Sequence, residues 1–284
     1  MKRLTILLIF LLFVPFVSRP LFALEKIKAV EQDTFFIPMR LGEAKETEIN
    51  LVNTSKKASK LFIRFVEKSF PKGDENKWFA KFCTIGLCFF EEGETAVIRS
   101  GEATPVNIGI FATEEASINQ VAKLVLEIFP VVDKNLKTTI TLYAVCVPPK
   151  EIKLTIGQKE ASVNGKQVSL ETVPFLSENR AFVPLRFLGE NFDMQVMWEA
   201  KTQKITFHLF VLELNFWIGN QAIQLKIGPE FTRDIPIDAA PILVSNRTYI
   251  PLRVVSENIG AQVLYDPATR QITIHFPPLP KYDY

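Results

Sequence analysis

Histidine is nearly missing from this chain, with two residues in 284. That shortage removes most of the side chains that act as general bases near neutral pH or as metal ligands. Net charge is nearly missing too: 33 Lys and Arg against 31 Asp and Glu leave +2, too little to attract a nucleic acid or an anionic membrane surface. There is no Gly-x-Ser-x-Gly elbow and no phosphate-cradling glycine loop, so the sequence offers neither an activated serine nor a nucleotide cradle. Past Ala23 no apolar run reaches the ~20 residues that a membrane-spanning helix needs. Cysteine is confined to Cys83, Cys88 and Cys146. An odd count in an exported protein leaves one thiol over or pairs it between chains.

What the chain has in quantity is apolar and aromatic material, 48% hydrophobic with 24 Phe, enough for two or three domains rich in strands. Its most ordered feature is a repeat. The stretch from Asn179-Arg180 through Val183-Pro184-Leu185-Arg186 to Glu190-Asn191 is written again from Asn246-Arg247 through Ile250-Pro251-Leu252-Arg253 to Glu257-Asn258. The offset is constant at 67 (247 − 180 = 67) as far as His208 and His275, and a fixed period governs every other reading of the fold.

Each copy predicts a turn, a short strand, a helix, a strand, a turn and a strand. Pro184 and Pro251 fit the first helical position, where the missing N–H would be unpaired anyway. Leu185, Leu188 and Phe192, like Leu252, Val255 and Ile259, fall at i, i+3 and i+7 and form one buried stripe. Gly260 suits a left-handed helix end, with Asp193 in its place in the first copy. Val196 and Trp198, then Val263 and Tyr265, alternate with other residues as in a strand whose inner face meets the helix. The pairs Arg186/Glu190 and Arg253/Glu257 stand four apart, so each can bridge along one helix for about 0.2–0.5 kcal/mol.

This pattern resembles the repeat of the copper amine oxidase N-terminal-like domain, the non-catalytic stalk module. The residues that carry the likeness are Val163-Asn164-Gly165-Lys166, Pro174, Arg180, Val183-Pro184-Leu185-Arg186, Glu190, Val196-x-Trp198 and Ile205-Thr206, over about 151–276. The resemblance implies antiparallel strands packed on a short helix, and an extracytoplasmic home. It does not imply oxidase chemistry, which belongs to a separate catalytic domain with a modified tyrosine and three histidine ligands.

Residues 1–23 read as a signal peptide: Lys2 and Arg3, an apolar stretch over 4–17, and the small Ala23. Cleavage there would leave no integral membrane segment and a secreted or envelope-associated protein. Residues 24–150 predict a β-sandwich of immunoglobulin type, with strands at 34–39, 46–52, 60–66, 78–82, 95–99, 106–111, 123–131 and 138–147. Gly86 allows a small Cys83–Cys88 loop to close; the alternative is a bond from either to Cys146 across the sandwich. Cys-x4-Cys lacks the second ligand pair of a zinc site. Val147-Pro148-Pro149-Lys150 is the hinge, followed by repeat 1 at 151–209, repeat 2 at 210–276 and a tail at 277–284. The repeats begin 62 apart (Gly157 and Gly219) and end 67 apart, so five residues are inserted within 220–238, around 228–233.

No catalytic, metal or cofactor residues stand out. Duplication assigns Arg180, Pro184, Arg186, Glu190 and Trp198, with Arg247, Pro251, Arg253, Glu257 and Tyr265, to the fold, because one active site rarely needs the same constellation twice. His208 and His275 are strand-end residues carried along by duplication. The expected function is that of an exported, non-catalytic binding or scaffold protein whose partner is an envelope protein or a wall polymer. Two alternatives stand beside it: a hydrolase using Glu91/Glu92 or Asp234/Asp238, and a chaperone-like protein that lends a sandwich edge.

Overall fold

The computed structural model describes residues 28–29, 33–54 and 57–279. The signal peptide expected at 1–23 and the tail beyond 279 lie outside the described residues. Strands dominate, and the two helices are short.

The N-terminal part is a sandwich of two five-stranded sheets. Apolar residues alternate along the strands, so that Leu51, Ile63, Phe82, Ile108, Leu126 and Leu142 meet in a buried core. Thr34–Met39 runs parallel to Thr138–Cys146, while the other pairings are antiparallel. The expected strand at 95–99 does not form. Glu92–Glu94 supplies the edge of that sheet instead, and Ile98 enters the core through one isolated bridge to Ser59. Cys83 and Cys88 face each other across a hairpin and are joined. Ile85 and Gly86 make its turn at φ 44° and 80°, the left-handed pair that a two-residue hairpin needs. Cys146 is a free, buried thiol, so the bond across the sandwich is not made; burial pushes its pKa up to about 12.

The two repeats exchange strands. One five-stranded sheet joins Lys150–Thr155, Glu160–Val163 and Lys166–Ser169 of repeat 1 to Gln262–Asp266 and Gln271–Phe276 of repeat 2. The other joins Gln195–Glu199 and Lys204–Leu209 of repeat 1 to Leu212–Trp217, Ala222–Ile227 and Phe231–Pro236 of repeat 2. Between them, Arg180–Pro184 pairs with Arg247–Pro251 so that Val183 faces Ile250, its own counterpart (250 − 183 = 67). An antiparallel pair of equivalent residues is what a two-fold axis leaves, and here the pseudo-axis passes between these two side chains. Both are fully buried, worth about 1.5–3 kcal/mol each relative to exposure.

Pro184 and Pro251 are the last residues of these strands, not the first of the helices, which run Leu185–Asn191 and Leu252–Asn258. Cross-repeat pairing keeps both prolines extended, at ψ 127° and 114°. Leu188, Phe192, Leu252, Val255 and Ile259 lie in the shared core as the helical spacing requires, and Asp193 and Gly260 end the helices at φ 54° and 79°. Glycine at 189 admits the neighbouring strand: a Cβ there would come within 2.2 Å of the Val196 side chain.

The five extra residues lie in one hairpin. Glu160 to Ser169 spans 10 residues and Ala222 to Pro236 spans 15 (236 − 222 + 1). The longer hairpin reaches the sandwich. Tyr143 Oη donates to Glu230 Oε2 at 2.7 Å, and Lys123 Nζ lies 3.1 Å from Glu230 Oε1. Gly228 is required at the tip, since φ is 59° and a Cβ would sit 2.5 Å from Tyr143 Oη. Tyr143, Val145 and Val147 of the sandwich join the repeat core in one apolar cluster. The proline-rich connector is therefore flanked by packed surfaces.

Two outcomes follow. A fragment of residues 150–210 will show no cooperative thermal transition, because each of its sheets lacks strands from repeat 2; a sharp melt would show that one repeat closes its own core. Burial, then the bond to Glu230, raises the Tyr143 pKa from 10.0 to about 12. Its stabilisation is complete below pH 10 and is lost as pH rises toward 12. The melting temperature should fall less steeply over that window in Tyr143→Phe, and equal slopes would exclude Tyr143 as the titrating group.

Candidate functional site

Two of the arginines singled out by the repeat, Arg180 and Arg247, tie one copy to the other. Arg180 Nε donates to Asp238 Oδ2 at 2.6 Å, and the symmetric Arg247 Nε lies 3.2 Å from Glu171 Oε2. Glu171 and Asp238 are themselves equivalent positions (238 − 171 = 67). Arg186 Nη1 also reaches Glu171, at 2.6 Å, so the expected bridge to Glu190 is replaced by one to the turn acid. Arg253 keeps its partner on the helix, 3.6 Å from Glu257. Arg180 holds the Asp238 carboxyl below its ordinary range. A hollow of about 290 Å³ beside this pair is lined by Arg180, Asp238, Pro251, Arg253 and Glu257. These groups occur in both copies and are spent on each other.

The histidines do not meet on one sheet. His208 is flanked by Gln195 and Glu213, and His275 by Gln262 and Glu151, in separate sheets. Among the described residues no group of three or more His, Cys, Asp or Glu is placed to hold a metal ion. Of the carboxylates weighed for hydrolysis, Asp238 is held by Arg180, Glu91 by Lys68, and Asp234 accepts from Gln224.

Trp198 and Tyr265 stand where the strands become edges. They are 49% and 43% exposed, equivalent to each other as the repeat predicts, and less covered by the helices than the semi-buried positions expected from strand alternation. A seven-residue helix is about 10 Å long and a five-residue strand about 17 Å. The helix meets the strand at Gly189 and Val196 and leaves its far end bare.

Sequence reasoning passed over the outer face of the sheet that begins at Gln195. Its pairing register sets Met197, Thr206, Asn215, Gln224 and Asp234 in one row across five strands. The row is hydrogen-bonded: Thr206 Oγ1 donates to Asn215 Oδ1 at 2.8 Å, Asn215 Nδ2 to Gln224 Oε1 at 3.4 Å, and Gln224 Nε2 to Asp234 Oδ1 at 3.3 Å. Asn215 is fully buried within it and also donates to Glu213 at 2.7 Å. Burial would raise the Glu213 pKa, but bonds from Asn215 and Lys226 outweigh it and hold the carboxyl low. In the next row Lys204 Nζ stands 5.8 Å from the Trp217 ring centroid. Continuing the register sets Trp217 beside Ala222, which pairs with Pro236. The single methyl of Ala222 leaves a hollow of about 570 Å³ between Trp217, Asn220, Gln224 and Asp234. Alternation alone could have flagged Glu213, Asn215 and Trp217 as one face of a strand, but not their neighbours.

Comparison with known proteins gives one family: the copper amine oxidase N-terminal domain matches residues 132–207 and 210–274. The first match begins inside the sandwich, ahead of the first repeat strand at Lys150. No curated protein matches the chain. Among solved structures, the chain is similar to a family 123 glycoside hydrolase from Clostridium perfringens, at 10% identity over 40% of this chain and 23% of the hydrolase, with a TM-score of 0.32. It is also similar to CfaE, the adhesive subunit of the CFA/I fimbria of enterotoxigenic Escherichia coli, at 13% identity over 43% of this chain and 49% of that one, with a TM-score of 0.31. The chain thus spans less than half the length of either, and at these scores neither likeness bears on function.

Asn215→Ala would leave Thr206, Glu213 and Gln224 without their central partner and should cost about 1–3 kcal/mol. Trp198→Ala, at a half-exposed edge, should cost about 1 kcal/mol or less. Urea unfolding of both variants separates the two positions, and the reverse order would place the structural weight at the edge.

Proposed function

Through residues 132–274 the chain belongs to the copper amine oxidase N-terminal domain family, whose domain is a non-catalytic, stalk-like one, and from that membership we propose that it is an exported, non-catalytic binding or scaffold protein of the cell envelope. The observation that carries this reading is how the duplicated polar residues are used. Arg180 and Arg247 bind the turn carboxylates Asp238 and Glu171 of the opposite copy and Arg186 binds Glu171 within its own, so these arginines of the repeat pattern are consumed in holding the fold together. The Cys83–Cys88 bond supports an oxidising compartment. No described helix is long and apolar enough to cross a membrane. The partner is an envelope protein or a wall polymer.

The test is retention. The mature chain, immobilised, is offered separated wall polymer and envelope protein fractions. Saturable retention of one of them supports the reading, and failure to retain either removes it. Mass spectrometry of the secreted form should give an N-terminus at Leu24 with Cys83 and Cys88 oxidised; recovery of the reduced, full-length chain from the cytoplasm would remove the exported part.

A further inference from the structure

We infer that the outer face around Trp217 is a binding site for a neutral glycan chain. This rests on the binding role proposed above and gives it a ligand class. The two sheets of the repeat region share one pattern of strand pairing, so comparing them position by position separates what the fold needs from what one face adds. Thr206 recurs as Thr273 and His208 as His275. Trp217, Asn215, Gln224 and Asp234 do not recur: Thr155, Lys153, Ser162 and Gln167 hold their places in the other sheet, and Glu160 holds that of Ala222. One face alone has acquired the indole of Trp217, the amide of Gln224 and the carboxylate of Asp234 around a hollow, with the buried Asn215 linking Gln224 to Thr206.

That set matches a sugar ring more closely than any other ligand class. Pyranose rings present apolar C–H faces, which an indole accepts, and hydroxyls that both donate and accept, which an amide and a carboxylate can satisfy together. Asp234 in the lining and Lys204 against the Trp217 ring offset each other in charge, which suits a neutral ligand better than a polyanion. Ala222–Ile227, under the hollow, is hydrogen-bonded to strands on both sides, so an extended peptide can pair only with the outer edge of Phe231–Pro236, beside the hollow and not within it. A volume of about 570 Å³ suits a few rings of a chain lying across the sheet. The bonds from Thr206 through Asn215 and Gln224 to Asp234 orient the recognition groups in advance, which lowers the ordering cost of binding.

The experiment is titration calorimetry of the full chain with cellotetraose, xylotetraose and tetra-N-acetylchitotetraose. Saturable binding of at least one is expected. Trp217→Ala should weaken it about tenfold or more. Ala222→Gln, which fills the hollow while removing no recognition group, should do the same, and its unchanged melting temperature guards against loss of fold. Trp198→Ala should leave binding within about twofold. Absence of binding to all three sugars, or binding that both Trp217→Ala and Ala222→Gln leave intact, overturns the site. Retention of wall polymer or envelope protein that Trp217→Ala does not weaken would overturn this site while leaving the broader binding role standing; retention of neither removes that role as well.

Discussion

Val183 lies against Ile250 because each repeat is incomplete by itself. A seven-residue helix carries one narrow apolar stripe, and its own strands cannot close a core around it. Pairing the two copies antiparallel at equivalent residues lets each lend its final hairpin to the other's sheet, and a single continuous core results. The rest of the repeat chemistry depends on this exchange. Arg180 and Arg247 reach the other copy's turn acids because the exchange brings them there. Pro184 and Pro251 remain extended because they still belong to the paired strands.

Where the symmetry is broken, the breaks carry consequences. Five residues added to one hairpin extend its tip to the sandwich, where Glu230 takes bonds from Tyr143 and Lys123. For Glu230 burial acts to raise the pKa, yet these two donors more than offset it and hold the carboxylate charged. The unextended hairpin of repeat 1 turns instead on Asn164 and Gly165, with Asn164 Oδ1 accepting from Glu151 N at 2.7 Å. The side chains of the two outer faces are the second break. A symmetric scaffold needs the same residues twice, whereas recognition needs them once, and the row through Asn215 occurs once.

Residue order alone determined the period of 67, the five-residue insertion, the buried helix stripes, the left-handed helix ends at Asp193 and Gly260, and most sandwich strands. All of these are local: they follow from alternation, helical spacing and backbone sterics, which a linear pattern encodes directly. The Cys83–Cys88 bond was legible for the same reason, being closed by a two-residue turn. Tertiary structure decided the rest. The exposure of Trp198 depends on where a helix from another part of the repeat stops covering its strand. The partner of Arg186 is Glu171 because a turn acid reaches it before Glu190 does. The row of Thr206, Asn215, Gln224 and Asp234 comes from strands of both repeats, and only their register, fixed by burying the opposite face, sets those four side chains side by side.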